Sequence, residues 1–196
     1  MKKSIITAIF AWSLSATWFL HARQEPRLTM PKIQSIYFNK REYQYRWSES
    51  GKYEFTPSGQ ENLDTWTDMV IINVYPKIND GDGLAELANR MLWTYEHFHA
   101  TGKILRTNSI PRTKDKPAEH FIAAILGAEG QPFLECATAR IVLLNGVGLG
   151  IIASHRSYGK QAAPLLNKWI IENGASTEKA LMAFVPIIPG TTPSKR

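Results

Sequence analysis

Residues 133–154 read FLECATARIVLLNGVGLGIIAS, two apolar runs that meet at Asn145-Gly146. Asn-Gly favours the tight turn of a β-hairpin, because both residues accept the positive φ angles that this turn requires. The stretch therefore predicts two long paired strands, residues 133–144 and 147–154. It is the strongest short-range structural signal in the chain, and the other elements are assigned around it.

Two segments nearer the N-terminus also have the pattern of strands. Aromatic residues alternate with polar ones at Tyr43, Tyr45 and Trp47, and the alternation resumes after a polar turn, which predicts a β-hairpin over residues 42–56. Residues 69–75, MVIINVY, are rich in β-branched side chains and stop at a proline. They predict a buried strand.

Helical spacing of apolar residues occurs twice. In residues 84–98 they recur every three or four positions, and Asp82 and Gly102 are the expected N-cap and C-cap. A second helix is predicted from about residue 160 to 173, ending at Gly174. A further short helix is predicted over residues 176–184.

Strands cluster along the chain and do not alternate regularly with helices. Further strands are predicted near residues 104–105 and over 119–128. This order is typical of an α+β fold, an antiparallel sheet flanked by helices. We expect a single domain over residues 34–185.

The N-terminal segment has the pattern of a secretory signal. Lys2 and Lys3 precede an uncharged apolar run, and Ala22 offers a small residue before charge returns. We predict a signal peptide over 1–22, followed by a leader segment over 23–33. A retained membrane anchor is the alternative, but the run is short for a bilayer span.

Cleavage after this segment would leave a protein in the periplasm with no stable membrane insertion. The C-terminal residues 186–196 are proline-rich and are expected to form a flexible tail. The formal net charge of the whole chain is +6, and loss of Lys2 and Lys3 would reduce it to +4. No basic run with stacking aromatics is present, so a nucleic-acid partner is not predicted.

Candidate catalytic and ligand-binding patterns are weak. Gly146, Gly148 and Gly150 lack the spacing of a nucleotide-binding loop and fit a hairpin. Asp80 and Asp82 lack the distal glutamate of a calcium loop. The histidines His97, His99, His120 and His155 show no metal-binding spacing. We therefore predict no catalytic residues, no cofactor and no metal site.

Cysteine and tryptophan usage adds two structural expectations. Cys136 is the single cysteine of the chain, so no internal disulfide is possible, and its apolar surroundings predict a buried, unreactive thiol. Trp47, Trp66, Trp93 and Trp169 lie in predicted ordered elements, and most are expected in the core. Any tryptophan left exposed would indicate an interface.

One segment resembles exported bacterial proteins of unknown role. It reads FTPSGQ over 55–60 and NLDTWTDMV over 62–70, with Phe55, Pro57, Gly59, Trp66 and Met69 as its distinguishing residues. The element order is similar to the PsbP/DcrB-like fold. This resemblance implies a fold with mostly non-catalytic roles, including photosystem, phage-infection and Ran-binding functions.

In physical terms, Pro57 and Gly59 would turn the chain, and Trp66 and Met69 would dock it onto the sheet. The functional expectation is a periplasmic, non-catalytic binding or accessory protein that meets an unknown protein partner in the cell envelope. An immunity protein against a toxin delivered to the periplasm is one specific form. The alternatives are a small hydrolase, using His120 or His155 with a carboxylate, and a small-ligand carrier with an apolar cavity.

Overall fold

A computed structural model describes residues 33–97, 102–127 and 130–187, and within them the chain forms eight strands and two helices. The strands are β1 (Ser35–Phe38), β2 (Arg41–Glu49), β3 (Lys52–Pro57), β4 (Asp68–Tyr75), β5 (Lys103–Ile110), β6 (Glu119–Leu126), β7 (Phe133–Leu144) and β8 (Val147–Tyr158). The helices are α1 (Gly81–Glu96) and α2 (Ala162–Ala183), and one turn of 3-10 helix, Gly159–Gln161, precedes α2. The predicted signal peptide, nearly all of the leader and residues 188–196 of the tail lie outside the described residues.

All eight strands form one antiparallel sheet, in the order β1-β2-β3-β4-β8-β7-β6-β5. The β7–β8 hairpin pairs from Phe133 with Tyr158 to Leu144 with Val147. Its turn residues Asn145 and Gly146 have φ angles of 52° and 76°, as expected for an Asn-Gly turn. The predicted α+β class with an antiparallel sheet is thereby confirmed.

The centre of the sheet joins two segments that are distant in sequence. Strand β4 pairs with β8 along its full length, from Asp68 with His155 to Tyr75 with Gly148. After β4 the chain passes through α1 to the far edge of the sheet and returns strand by strand from β5 to β8. This crossover brings the start of β4 beside the end of β8.

The two helices pack against opposite faces of the sheet, because successive strand residues point to opposite sides. On β8, Ile152 lies in the apolar cluster under α1, which includes Leu84 and Leu87. Its neighbour Ile151 lies in the cluster under α2, which includes Leu181. Helix α1 covers β5 to β7, whereas α2 lies over β7 and β8.

Close packing accounts for one of the glycines that follow the hairpin turn. A Cβ atom on Gly148 would lie 2.8 Å from the side chain of Ile78, and the Gly148 amide donates to the Ile78 carbonyl at 2.7 Å. The glycine is needed because another backbone segment approaches the strand there. The structure therefore agrees with a hairpin role for this glycine repeat.

The helix boundaries differ from the sequence-based expectations. The N-cap of α1 is Asp80, whose carboxylate accepts from the Gly83 amide at 2.8 Å, and the expected N-cap Asp82 lies inside the first turn. Helix α1 ends at Glu96, well before Gly102, which is therefore not its C-cap.

The second helix is longer than expected. Helix α2 runs unbroken through Gly174 to Ala183, so the predicted stop and the separate short helix were wrong. A glycine inside a helix costs only about 1 kcal/mol. Buried contacts on both sides of it, at Leu166 and Leu181, outweigh that cost.

A buried arginine on β7 connects α2 to the sheet. Arg140 is 5% exposed, and its Nε donates to Glu119 Oε2 on β6 at 2.7 Å. Its Nη1 donates to the carbonyl oxygens of Leu181, at 3.2 Å, and Phe184, at 2.7 Å, at the end of α2. Carbonyls in the last turn of a helix lack intrahelical partners, so the guanidinium acts as a C-terminal cap.

We expect Arg140→Ala to lower the free energy of unfolding by about 3–5 kcal/mol, because it leaves a buried carboxylate and two carbonyls without their donor. Urea unfolding followed by tryptophan fluorescence measures this loss. Arg90→Ala is the matched control, since Arg90 forms an exposed pair with Glu86 on α1 and should cost no more than about 0.5 kcal/mol. Equal losses in the two variants would contradict the capping role.

Candidate functional site

A cleft of about 240 Å³ lies on the α2 side of the sheet, and we call it the α2 cleft. It lies between α2, the β1–β2 hairpin and the seam where β4 meets β8. Its lining residues are Phe38, Asn39, Arg41, Tyr43, Asp68, Met69, Ala153, Ser154, Trp169, Asn173 and Thr177. No ligand-binding pattern in the sequence had indicated these residues as a group.

A tight turn shapes one wall of the cleft. Asn39 and Lys40 both have positive φ angles, 45° and 65°, and pair Phe38 with Arg41 across the hairpin. The ring of Phe38 meets that of Phe184, just beyond α2, with centroids 5.6 Å apart. This edge-to-face contact holds the hairpin against the C-terminal end of α2.

The carboxylate of Asp68 is the most heavily bonded polar group of the cleft. Its Oδ1 accepts from His155 Nδ1 at 2.8 Å. Its Oδ2 accepts from Arg41 Nη1 at 3.1 Å and from Gln60 Nε2 and Thr67 Oγ1, each at 3.3 Å. Four donors from three parts of the chain, β2, the 58–67 loop and β8, therefore converge on one side chain.

These contacts change the pKa of Asp68. Burial alone would raise it, but the hydrogen bond and charge of His155, the Gln60 hydrogen bond and the charge of Arg41 together outweigh burial. The pKa therefore lies below the usual value of an aspartic acid. Asp68 remains an anion at neutral pH, bound to its donors.

Histidine 155 is held on two sides. While Nδ1 donates to Asp68, the ring stacks on Trp169 of α2 with a centroid distance of 4.3 Å and an interplanar angle of 4°. The carboxylate fixes which nitrogen carries the hydrogen, because an ionised carboxylate only accepts. The sequence suggested His155 with an unidentified carboxylate as the centre of a small hydrolase, and the carboxylate beside it in the structure is that of Asp68.

Three residues that line the cleft, Tyr43, Ser154 and Thr177, have a hydroxyl without a hydrogen-bond partner in the described part of the chain. Tyr43 and Thr177 are 8% and 3% exposed, and neither side chain hydrogen-bonds to the described residues. Burial and the charge of Asp68 raise the pKa of Tyr43 to about 12, with Arg41 opposing them, so its hydroxyl keeps its proton. The Ser154 oxygen is fully buried, whereas the Tyr43 and Thr177 oxygens are not, so these two hydroxyls offer hydrogen bonds to an occupant of the cleft.

The cysteine lies in the same row as the His155–Asp68 pair. On adjacent strands, Asp68 pairs with His155, and His155 pairs with Cys136. Burial, with a smaller contribution from Glu135, raises the pKa of the Cys136 thiol to about 12. The buried thiol confirms the expectation from the sequence, and it has no hydrogen bond to His155 among the described residues.

The other histidine named as a catalytic candidate lies elsewhere. His120 on β6 points to the α1 side of the sheet, where its Nδ1 lies 2.9 Å from Ser109 Oγ. Burial lowers the pKa of His120, and its Nε2 has no hydrogen-bond partner. The structure therefore does not bring His120 and His155 into one site.

The five residues of the sequence resemblance lie around the end of β3 and the start of β4. Phe55 and Pro57 are fully buried on β3, and Gly59 has a φ angle of +83° in the turn that follows. Trp66 and Met69 are each 3% exposed. These five residues hold the 58–67 loop beside the cleft, but they do not themselves form a polar site.

An arginine holds that loop in place. The guanidinium of Arg156 lies 3.9 Å from the ring centroid of Trp66 and 4.0 Å from that of Phe133. Its Nε donates to Glu135 at 2.8 Å. Arg156 thus makes cation–π contacts with both rings. These contacts fix Trp66, which anchors the loop that carries Gln60 and Thr67 to Asp68.

The remaining tryptophans depart from the expectation of mostly core positions. Trp93 is 62% exposed on the outer side of α1, where it stacks on His97, and Trp47 is 38% exposed on β2. Trp169 is half-buried beside the cleft. Of the four tryptophans considered, Trp66 alone is buried.

Residues 33–97, 102–127 and 130–187 contain no group of three or more His, Cys, Asp or Glu side chains suited to a metal ion. Neither helix in these ranges combines the length and the apolar character needed to cross a bilayer.

We expect Asp68→Asn to lower the free energy of unfolding by about 1–3 kcal/mol near neutral pH, through the loss of charge-assisted hydrogen bonds. The pKa of Asp68 is lower in the folded protein than the value of about 3.9 for aspartate in an unfolded chain. The stabilisation is therefore fully present above about pH 3.9, and it disappears as the pH falls through the pKa of Asp68 in the folded protein. The difference from the unmodified protein should therefore shrink in acid. Urea unfolding over a pH series measures it.

Asp64→Asn is the control, because Asp64 is exposed on the loop before β4 and its side chain makes no hydrogen bond or ion pair with the described residues. This variant should match the unmodified protein at each pH. An Asp68→Asn difference that does not vary with pH would show that the pKa of Asp68 is not lowered.

Comparisons with known proteins give structural likeness only. No protein-family model matches the chain, and no curated protein matches it. A protein of unknown function from Pseudomonas aeruginosa, PA94, described as a putative regulator, is similar over 72% of this chain and 86% of its own, with 13% identity and a TM-score of 0.46.

Two structures of Mog1 are similar at comparable levels. The Saccharomyces cerevisiae Ran-binding protein Mog1p has 8% identity, covers 70% of this chain and 79% of its own, and has a TM-score of 0.45. A mutant of protein Mog1 has 7% identity, covers 74% and 84%, and has a TM-score of 0.47. At these values the likenesses do not decide function.

Proposed function

We propose that this chain is a non-catalytic binding protein whose α2 cleft receives a polar group that protrudes from a partner protein. The supporting observation is the pair of hydroxyls, on Tyr43 and Thr177, that line the cleft without a hydrogen-bond partner in the described chain. A buried polar group without a hydrogen bond costs about 1–3 kcal/mol. An occupant that excludes water from the cleft must supply these hydrogen bonds to avoid this cost, so the two hydroxyls favour an occupant with hydrogen-bonding groups.

The size and lining of the cleft favour a side chain over a larger ligand. Pockets for drug-sized ligands measure about 300–1,000 Å³ and are mostly apolar. The α2 cleft is smaller, at about 240 Å³, and Arg41, Asp68 and Asn173 make its lining polar. These features argue against the alternative of a carrier with an apolar cavity and fit a hydrogen-bonding group at the end of a partner's side chain.

The polar groups of the cleft hold structure and are not arranged for proton transfer. Asp68 is an anion bound to four donors, and His155 is stacked flat on Trp169. A general base must lie within hydrogen-bond reach of the nucleophile that it activates. Among the described residues no hydroxyl or thiol forms such a bond with His155.

The proposed place of action is the periplasm, with a partner in the cell envelope. The support is the N-terminal sequence, in which two lysines precede an uncharged apolar run over residues 4–20. An immunity protein that neutralises a toxin delivered to the periplasm is one specific form of this proposal. In that form the cleft would receive a polar residue of the toxin.

Photo-crosslinking in cells tests the proposal. A photoreactive amino acid at Asn39, on the cleft wall, should give a discrete protein adduct in the periplasmic fraction. The same amino acid at Ile171, 75% exposed on the outer side of α2, should not. Tyr43→Phe removes one hydroxyl and should reduce the adduct about fivefold, the effect of one hydrogen bond, without loss of stability.

Tyr37→Phe is the matched control, because Tyr37 is 69% exposed and does not line the cleft. It should leave the adduct unchanged. No adduct from Asn39 would contradict a protein partner at the cleft, and an adduct that persists undiminished in Tyr43→Phe would contradict recognition through the Tyr43 hydroxyl.

A small hydrolase is the second candidate, favoured by the row of Asp68, His155 and Cys136. An acid, a base and a thiol in this order are the parts of a nucleophilic triad. Against it, the thiol is buried, and its pKa of about 12 leaves almost no nucleophilic thiolate at neutral pH.

Alkylation of the native protein with iodoacetamide near pH 7.5 separates the two functions. We expect Cys136 to react only after unfolding, because burial both shields the thiol and raises its pKa. Rapid labelling of the folded protein, slowed by His155→Ala, would support the hydrolase and contradict the non-catalytic proposal. Mass spectrometry reports the labelled fraction.

A further inference from the structure

Most of the net charge of the chain is concentrated in one short segment. Residues 103–116 carry five cationic side chains against the single carboxylate of Asp115, a net charge of +4 out of +6 for the whole chain. The cations are Lys103, Arg106, Arg112, Lys114 and Lys116, and all five are exposed. Positive charge is thus localised, although no run of consecutive basic residues marks it in the sequence.

Few of these cations are neutralised within the fold. Arg106 pairs with Glu178 of α2 at 3.0 Å. In the described part of the chain, the other four cations of the segment make no ion pair. Glu119, the nearest acidic residue after the segment, is bound to Arg140 and only 16% exposed. The segment therefore presents uncompensated positive charge to solvent.

The same segment contains an open edge of the sheet. Strand β5 is the last strand in the sheet order and pairs only with β6 among the described residues. Seven of its eight residues are exposed, including the apolar Leu105 and Ile110. The strand at the other edge, β1, has only four residues. A long edge with unpaired backbone groups is a template on which another extended chain can pair.

The charge on this edge decides what can pair there. Two copies of this chain meeting at β5 would each bring a net charge of +4 to the junction, and like charges facing each other across strands are destabilising. The same positive charge that repels a second copy of this chain attracts an extended segment of negative charge. The hairpin loop over 111–116 extends the positive surface beyond the end of the strand.

We propose that β5 and the 111–116 loop form a docking site for an extended, acidic segment of a partner protein, which adds to the sheet as a ninth strand. Backbone hydrogen bonds along β5 hold the segment. Its acidic side chains meet Lys103 and the cations of the loop, and its apolar side chains meet Leu105 and Ile110. This site is separate from the α2 cleft and does not depend on the function proposed for that cleft.

A nucleic acid is a weaker fit to the same surface. Residues 103–116 contain no aromatic side chain on which a base could stack. A polyanion also has no peptide backbone with which to continue the sheet. The unpaired strand edge therefore distinguishes the acidic peptide from other anions.

The test uses the purified protein and a peptide of alternating Val and Glu, matched in length to the eight residues of β5. Fluorescence anisotropy should show binding at low ionic strength that weakens with added salt. Amide hydrogen exchange in β5 should slow when the peptide is bound. A peptide with the same sequence but N-methylated at alternate residues, and one with Lys in place of Glu, should bind at least about tenfold more weakly.

Charge reversal locates the site. The triple variant Arg112→Glu, Lys114→Glu, Lys116→Glu should weaken binding about tenfold, the sum of three exposed charge interactions. Its control, Lys160→Glu, Lys168→Glu, Lys179→Glu, makes the same change in net charge at exposed positions outside the segment and should bind normally. Urea unfolding checks that both variants are folded.

Three outcomes would overturn the proposal. Equal binding of the N-methylated peptide would show attraction by charge without strand pairing. Equal weakening in both triple variants would show an effect of overall charge. Binding of duplex DNA or of anionic lipid vesicles in preference to the acidic peptide, abolished by the loop triple variant, would assign the surface to a nucleic acid or a membrane.

Discussion

A single buried guanidinium sets the position of the long helix on which the rest of the α2 side depends. Arg140 extends from the middle of β7 and satisfies a carboxylate on β6 and two carbonyls at the end of α2. At this depth the charge has little access to water, so it must remain within reach of all three acceptors. Helix α2 is therefore fixed relative to strands β6 and β7 by bonds that are costly to break.

The cleft follows from that constraint. Helix α2 carries three residues of the cleft lining, Trp169, Asn173 and Thr177. Arg140 and the Phe38–Phe184 contact attach the C-terminal end of this helix to the sheet, and these attachments determine how far the three residues lie from the β1–β2 hairpin. Between these attachments the hairpin and the helix do not close on each other. The space that remains is lined by polar groups, and hydroxyls without a partner in the described chain leave capacity for binding there.

The local elements could be predicted because their signals are local. The Asn145-Gly146 turn, the alternation in β2 and β3 and the β-branched run of β4 each report on a few neighbouring residues, and the structure has strands where they indicated them. The exposure of Trp93 was also readable from the sequence. Two positions after Met91, it falls on the opposite side of α1 from the apolar stripe.

The site could not be predicted in the same way. Asp68 and His155 are 87 positions apart, and they meet only because the crossover through α1 places β4 beside β8. No periodicity encodes that adjacency, and each residue alone looks like an ordinary polar side chain at a strand end. The continuation of α2 through Gly174 also depends on contacts between residues distant in sequence. Packing of the helix on the sheet stabilises it there, although glycine has a low intrinsic helix propensity.

Helix α2 connects the β5 docking site to the α2 cleft through one ion pair, and the free energy of that pair limits how strongly the two sites can affect each other. Glu178 pairs with Arg106 of β5, while its neighbour Thr177 lines the cleft. The side chains of this ion pair are 57% and 27% exposed, and an exposed pair of this kind contributes at most about 1 kcal/mol. A partner on β5 that displaced Arg106 could therefore change affinity at the cleft through this pair by no more than about fivefold. Because Arg140 holds the helix far more strongly than this pair does, binding at one surface leaves the shape of the other nearly unchanged.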